Sequence, residues 1–108
     1  MIYELRIYHA TPGKLPALVK RFETTTLKFW AKYGIRQIGF WTSLISESNQ
    51  DLYYMLEWQN LAEREQKWGA FMGDPDWVAA RGATEQDGPL TTHISNCILA
   101  PTGFSKLK

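Results

Sequence analysis

Glu4, Arg6 and Tyr8 stand two residues apart in a run, Ile2 to His9, whose side-chain classes alternate and whose residues favour strands, so all three fall on one face of the first strand. A guanidinium is a planar fork of donors that never loses its charge, which suits Arg6 to hold an anion or to polarise a carbonyl oxygen. In that reading Glu4 orients Arg6, while Tyr8 or His93 moves a proton. His93 is the better placed of the two histidines, because its strand position gives it the parity assigned to Arg6 and Tyr8, and imidazole titrates near neutral pH. The plainer reading makes Glu4 and Arg6, with Glu57 beside them if strands one and three are neighbours, an ion-pair network lining a subunit interface. Under it His93 is an interface hydrogen-bonder. His9, beside the Thr11-Pro12-Gly13 turn, is placed for a pocket mouth. Cys97 sits inside a strand with no histidine close in sequence and reads as a small packed residue rather than a nucleophile. No Ser/His/Asp spacing asks for covalent catalysis, and two distant histidines with one cysteine give no metal-ligand pattern, so no cofactor is expected.

A second group is aromatic. Trp30, Trp58, Trp68 and Trp77 suit packing between helices and a sheet, where filling the core is the default role of large rings. The same space, lined by Trp30, Phe40, Tyr54 and Trp68, is a candidate site for a small apolar or aromatic ligand.

The elements that position these residues follow from spacing. After the Thr11-Pro12-Gly13 break, Leu15, Leu18, Val19, Phe22, Phe29, Trp30 and Tyr33 keep one helical face up to the stop at Gly34, with a weak spot at Thr24-Thr25-Thr26. Arg36–Ile45 and Leu52–Gln59 form an antiparallel hairpin across the polar segment Ser46–Asp51. Asn60 caps a helix carrying Leu61, Trp68, Phe71 and Met72, and Asp74-Pro75 starts a short helical turn to Gly82. A loop, Gly82–Pro89, leads to a last strand, Leu90–Leu99. The order β-α-β-β-α-β is the ferredoxin-like α+β arrangement, with helices over one face of a four-stranded antiparallel sheet. By parity, Leu5, Ile7, Ile38, Phe40, Tyr54, Leu56, Ile94 and Ile98 are assigned to the helices. The other set leaves Trp41, Tyr53, Met55, Tyr8 and Leu99 on an uncovered face with Glu4, Arg6 and His93, and such a patch normally meets a partner. A homodimer packed sheet to sheet, with Trp41, Tyr53 and Met55 at its interface, would bury it.

The 108 residues are enough for one domain, and 44% apolar with 21% charged residues excludes a disordered chain. A formal charge of +1 offers no field for nucleic acid or an anionic membrane. Strand three, LYYMLEW, lacks the basic, glycine-containing pattern of RNA-recognition sheets. No apolar run is long enough to span a membrane, the start Met1–Arg6 has no signal-like character, and a lone cysteine forms no internal disulfide; a cytoplasmic location is the expectation.

YELRIY followed by PGK, then GFW, RE and W on the second helix, DPDW, GPL, NCIL and PTGFS, in this order and spacing, resemble the NIPSNAP family over nearly the whole chain. Lys106 departs from an ending that often reads Phe-Ser-Pro-Leu in the family. The resemblance implies a dimeric α+β barrel, in which two ferredoxin-like units join their sheets. It transfers no catalytic residue; other barrels of this kind include cofactor-independent monooxygenases, isomerases and haem-degrading enzymes. The expected function is a homodimer binding a small, partly apolar ligand, as a cofactor-free oxygenase or isomerase, with a non-enzymatic interaction or carrier module as the alternative.

Overall fold

Local signals set each boundary in the computed structural model, which describes residues 1–108. Strand β1 (Ile2–Ala10) leads through a turn in which Gly13 takes φ +81°, a conformation costly for any side chain, into α1 (Leu15–Arg21). Pro16 lies in its first turn, where no hydrogen bond is lost. The helix then widens into a π turn (Phe22–Thr26), at the β-branched threonines, before α2 (Leu27–Tyr33) ends on Gly34 at φ +70°. β2 (Arg36–Thr42) and β3 (Asp51–Trp58) form the hairpin. Asn60 accepts a bond from the Glu63 N–H at 2.9 Å, and Glu63 accepts one from the Gln59 N–H, opening α3 (Leu61–Met72). Asp74 and Pro75 start α4 (Pro75–Thr84), two residues longer than its expected end at Gly82, and β4 (Thr91–Leu99) closes the fold. β2 stops three residues before Ile45; Leu44 and Ile45 are instead exposed in the connecting loop.

The sheet runs β2-β3-β1-β4, with every neighbouring pair antiparallel, which is the ferredoxin-like order. Register fixes the faces, since residues directly opposite share a side. Phe40 lies opposite Tyr54, Arg6 opposite Tyr54 and Asn96, and Glu4 opposite Leu56 and Ile98, all beneath the helices. Strand β1 is therefore inverted relative to the sequence expectation. Glu4, Arg6 and Tyr8 are buried on the helix side, while Leu5 and Ile7 occupy the open face, opposite Met55 and Cys97, and Tyr53 and Ser95. The physical reason is pairing: Glu4 is so fully bonded to buried partners that its charge is tolerated where an apolar residue was expected. Glu57, opposite Tyr3, is correspondingly on the other side from Glu4 and pairs with Arg36. Trp41 and Tyr53 face each other on the open side as expected, and a Cβ at Gly39 would come within 2.8 Å of the Trp41 ring.

Leu18, Phe22, Trp30, Leu56, Phe71 and Trp77 belong to one buried cluster between sheet and helices. The helical layer stops short of β4. Even its helix-side residues Ile94 and Ile98 remain 45% and 40% exposed.

Candidate functional site

Glu4 is completely buried in the central strand, and five donors converge on its carboxylate. Oε2 accepts from Arg6 Nη1 at 3.0 Å, Asn96 Nδ2 at 2.9 Å and Arg64 Nη2 at 3.1 Å. Oε1 accepts from Arg64 Nε at 2.8 Å and Trp58 Nε1 at 3.1 Å. Burial alone would raise its pKa, but the bonds from Arg64, Asn96 and Arg6 outweigh that and bring it to about 2. Glu4 is thus an orienting anion, with no lone pair left to take a substrate proton. Sequence reasoning missed Arg64 and Asn96. Arg64 lies four residues before Trp68 on α3, a spacing that places both on one side of the helix; for Asn96 only strand parity with Ile94 and Ile98 was available.

Arg6 is held on four sides. Its Nη1 is on Glu4, its Nε donates to Tyr54 Oη at 2.8 Å, its Nη2 reaches Tyr8 Oη at 3.5 Å, and its guanidinium lies 4.6 Å from the Trp68 ring centre. Burial works against its charge, but Tyr54, Tyr8 and Glu4 together raise its pKa above the ordinary value, so it stays cationic. Burial, with Tyr8 alongside, pushes the Tyr54 phenol well above its usual range and keeps it neutral. Tyr54 in turn donates to Tyr8 Oη at 3.1 Å. Tyr8 therefore accepts from both Arg6 and Tyr54, and its own O–H proton is left to donate elsewhere. Successive donors in such a chain polarise one another, so the Tyr8 hydroxyl is a strengthened donor at the end of the network.

Tyr8 is one of the residues lining a cavity of about 110 Å³ between sheet and helices. Arg6, Tyr8 and Ile94 form its sheet side; Phe22, Trp30, Trp68, Phe71 and Trp77 supply its rings; and Met72 and Arg81, both exposed, stand at its outer side. Two residues come from the π turn, Phe22 and Thr26, and such turns are frequent where a helix serves a site. Arg21, three residues after Leu18 on α1, enters the same wall paired to Glu85 at 2.7 Å and went unnoticed in the sequence.

The structure thus regroups the expected residues. Trp30 and Trp68 line the cavity with Arg6 and Tyr8. Tyr54 lies behind Tyr8, fully buried, and Phe40 instead borders a separate apolar hollow with Val19, Leu27 and Leu52. His93 is apart from Arg6 because β1 is inverted: it faces the open side, stacked on His9 with ring centres 3.9 Å apart. His9 bonds Asp51 at 3.0 Å and Ser95 at 3.2 Å. Cys97 is exposed on that same side rather than packed inside. Trp58 packs in the core and serves Glu4. No three His, Cys, Asp or Glu side chains converge as a metal-binding group, and no helix is long and apolar enough to cross a membrane.

A ferredoxin-like sheet covered by helices on one face, with a polar network set into an aromatic cavity between the layers, defines a class of small α+β proteins built around an internal pocket. Within it, the NIPSNAP family profile matches residues 3–106, and the chain belongs to that family. Among solved structures, a NIPSNAP family protein from Agrobacterium tumefaciens is 26% identical with a TM-score of 0.86, over 99% of this chain and 98% of that one. An uncharacterised NIPSNAP domain protein from Burkholderia xenovorans is 25% identical with a TM-score of 0.84, over 97% and 98%. A protein from Nitrosomonas europaea, provisionally named an antibiotic biosynthesis monooxygenase, shares the fold at 10% identity, with a TM-score of 0.63 over 94% and 98% of the two chains. No protein of curated function matches the chain at a significant level.

Proposed function

We propose that this NIPSNAP protein binds a small, partly aromatic molecule bearing an acceptor oxygen, in the cavity between sheet and helices. The observation that carries this reading is the Arg6–Tyr54–Tyr8 chain, which leaves an unused hydroxyl donor, backed by a buried cation, on a residue that lines the cavity among aromatic rings. Burying a charged network beside a cavity costs desolvation, and a bound oxygen acceptor gives that arrangement a use. Its donors fit the oxyanion-holding part of an isomerase or a cofactor-free oxygenase: Arg6 and Tyr8 stabilise the negative oxygen of a substrate that enters already ionised, as an enolate or phenolate, and Glu4 holds Arg6 in place. The provisional name of the Nitrosomonas europaea protein, a fold neighbour only, is compatible with the oxygenase form. Without turnover, the same site serves a carrier. The apolar open face, with Leu5, Ile7, Trp41, Tyr53 and Met55, fits a homodimer packed sheet to sheet, and the exposed free Cys97 suits a reducing, cytoplasmic setting.

Ligand-observed NMR with a panel of small aromatic carbonyl compounds tests the site. Trp68→Ala, which removes the ring under Arg6, should reduce binding, whereas Trp41→Glu on the open face should not. Unchanged binding by a folded Trp68→Ala protein would locate the function elsewhere.

A further inference from the structure

Every buried side-chain polar atom that lacks a hydrogen-bond partner in this protein, Arg21 Nε, Thr26 Oγ1, Trp30 Nε1 and Trp77 Nε1, belongs to a residue of the one cavity wall. Buried polar atoms are ordinarily satisfied, and each orphan costs free energy. Their gathering around one space implies a missing partner there. Three of the four can only donate, and so can the remaining Tyr8 proton, so the partner is an acceptor. All four residues are at least nine-tenths buried, which separates them from incidental surface groups.

Charge narrows the class further. Arg6, Arg21 and Arg81 line the cavity and Arg64 backs it, against the carboxylates of Glu4 and Glu85 alone, so the surroundings carry excess positive charge. Size and shape bound the ligand: a cavity of about 110 Å³ walled by six aromatic rings is smaller than the roughly 150 Å³ space that holds benzene, so the part of the ligand it encloses is no larger than one flat ring. Resting on the proposed ligand site, we infer that its ligand is a single-ring or similarly flat conjugated carboxylate. Its carboxylate is taken up by the Arg21, Thr26, Trp30, Trp77 and Tyr8 donors, and its plane lies among the aromatic walls. Arg21 is then a specificity-determining residue, with Glu85 holding its Nη1 and leaving Nε for the ligand. A cationic or purely donor ligand would leave the same atoms unsatisfied.

The test titrates the full chain, labelled with nitrogen-15, with sodium benzoate, toluene or benzylammonium chloride while the five tryptophan indole N–H signals are followed. Benzoate should move Trp30 and Trp77 downfield, as their donors gain an acceptor, and leave Trp41, on the open face, in place. Arg21→Gln should weaken benzoate binding at least about tenfold, as expected for a lost charged hydrogen bond, and leave toluene binding unchanged. Trp77→Phe keeps a ring while removing one donor, and should also weaken benzoate relative to toluene; it carries the test if Arg21→Gln fails to fold. If toluene and benzylammonium displace the Trp30, Trp68 and Trp77 signals as readily as benzoate, with neither variant discriminating among them, the cavity is a ligand site but the carboxylate inference is wrong. If none of the three probes moves those signals, the ligand-site reading falls with it.

Discussion

Replacing Glu4 by Gln isolates the charge on which the site is built. The amide keeps an oxygen for Trp58 and Arg64 Nε, but its NH2 group then confronts Arg6 Nη1, Arg64 Nη2 and Asn96 Nδ2, which are all donors. It also leaves the Arg6 cation buried without its anion. Breaking a buried pair from one side costs about 3–5 kcal/mol. Linkage gives an independent figure. A carboxyl pKa lowered from 4.5 to about 2 by the fold corresponds, at about 1.4 kcal/mol per pH unit, to roughly 3 kcal/mol. Because the folded pKa is the depressed one, this stabilisation is fully present above 4.5 and disappears as pH falls toward 2. Glu63, brought to about 2 chiefly by its bond from Arg36, and Asp74, lowered chiefly by its bond from Tyr33, lose stabilisation on the acid side too, but they do so in both proteins. Urea unfolding of wild type and Glu4→Gln, followed by tryptophan fluorescence from neutral pH downward, should therefore show a gap of about 3–5 kcal/mol that narrows only below pH 4.5. A gap near zero at neutral pH, or one that stays constant as pH falls, would refute the role assigned to the Glu4 anion.

Trp41→Glu places a charge in the proposed dimer contact, and sedimentation at micromolar concentration should show a dimeric wild type and a dissociating variant; equal assembly would remove the open face from the interface. Gly39→Ala pushes a methyl into the Trp41 ring and should weaken the same association while leaving benzoate binding intact. Arg6→Lys retains charge but loses the fork joining Glu4, Tyr54 and Tyr8, which should lower stability by about 2 kcal/mol and weaken benzoate binding; preserved affinity would mean that Tyr8 needs no guanidinium fork behind it. His93→Gln should leave benzoate affinity and its pH dependence unchanged, since the ring stacks on His9 across the sheet from the cavity.

The element order was legible because apolar spacing, the Asn60 and Asp74 caps and the Gly34 stop each agree with the folded structure. Strand β1 was not. Reading apolar residues as inward works only while inward charges are unpaired, and the partners that pair Glu4 come from 54, 60 and 92 residues away along the chain. Once β1 is turned over, Glu4, Arg6 and Tyr8 stay together because strand parity holds, whereas His93, on a different strand, separates from them. Trp30 and Trp68 were recognisable as pocket residues from their helical stripes. Arg21 and Thr26 were hidden because a cation on a largely apolar helix face and a threonine in a weak helical stretch have no individual signature; the unsatisfied atoms that distinguish them exist only in three dimensions.

The π turn at Phe22–Thr26 also sets a phase. Leu18, Phe22, Thr26 and Trp30 are all buried at intervals of four, yet an ordinary α-helix turns about 100° per residue and would swing such a series by roughly 120° from first to last. The wide turn absorbs that drift, allowing one helical strip to remain against the cavity. In a relative whose chain is one residue shorter here, a regular helix would carry its tryptophan eleven residues beyond the Leu18 position, about 20° past three full turns at about 100° per residue, and so still to where Trp30 stands. The place of Trp30 is therefore tied to the width of one helical turn as well as to residue identity, and comparisons across such a deletion equate positions in space only when the gap falls within Phe22–Thr26.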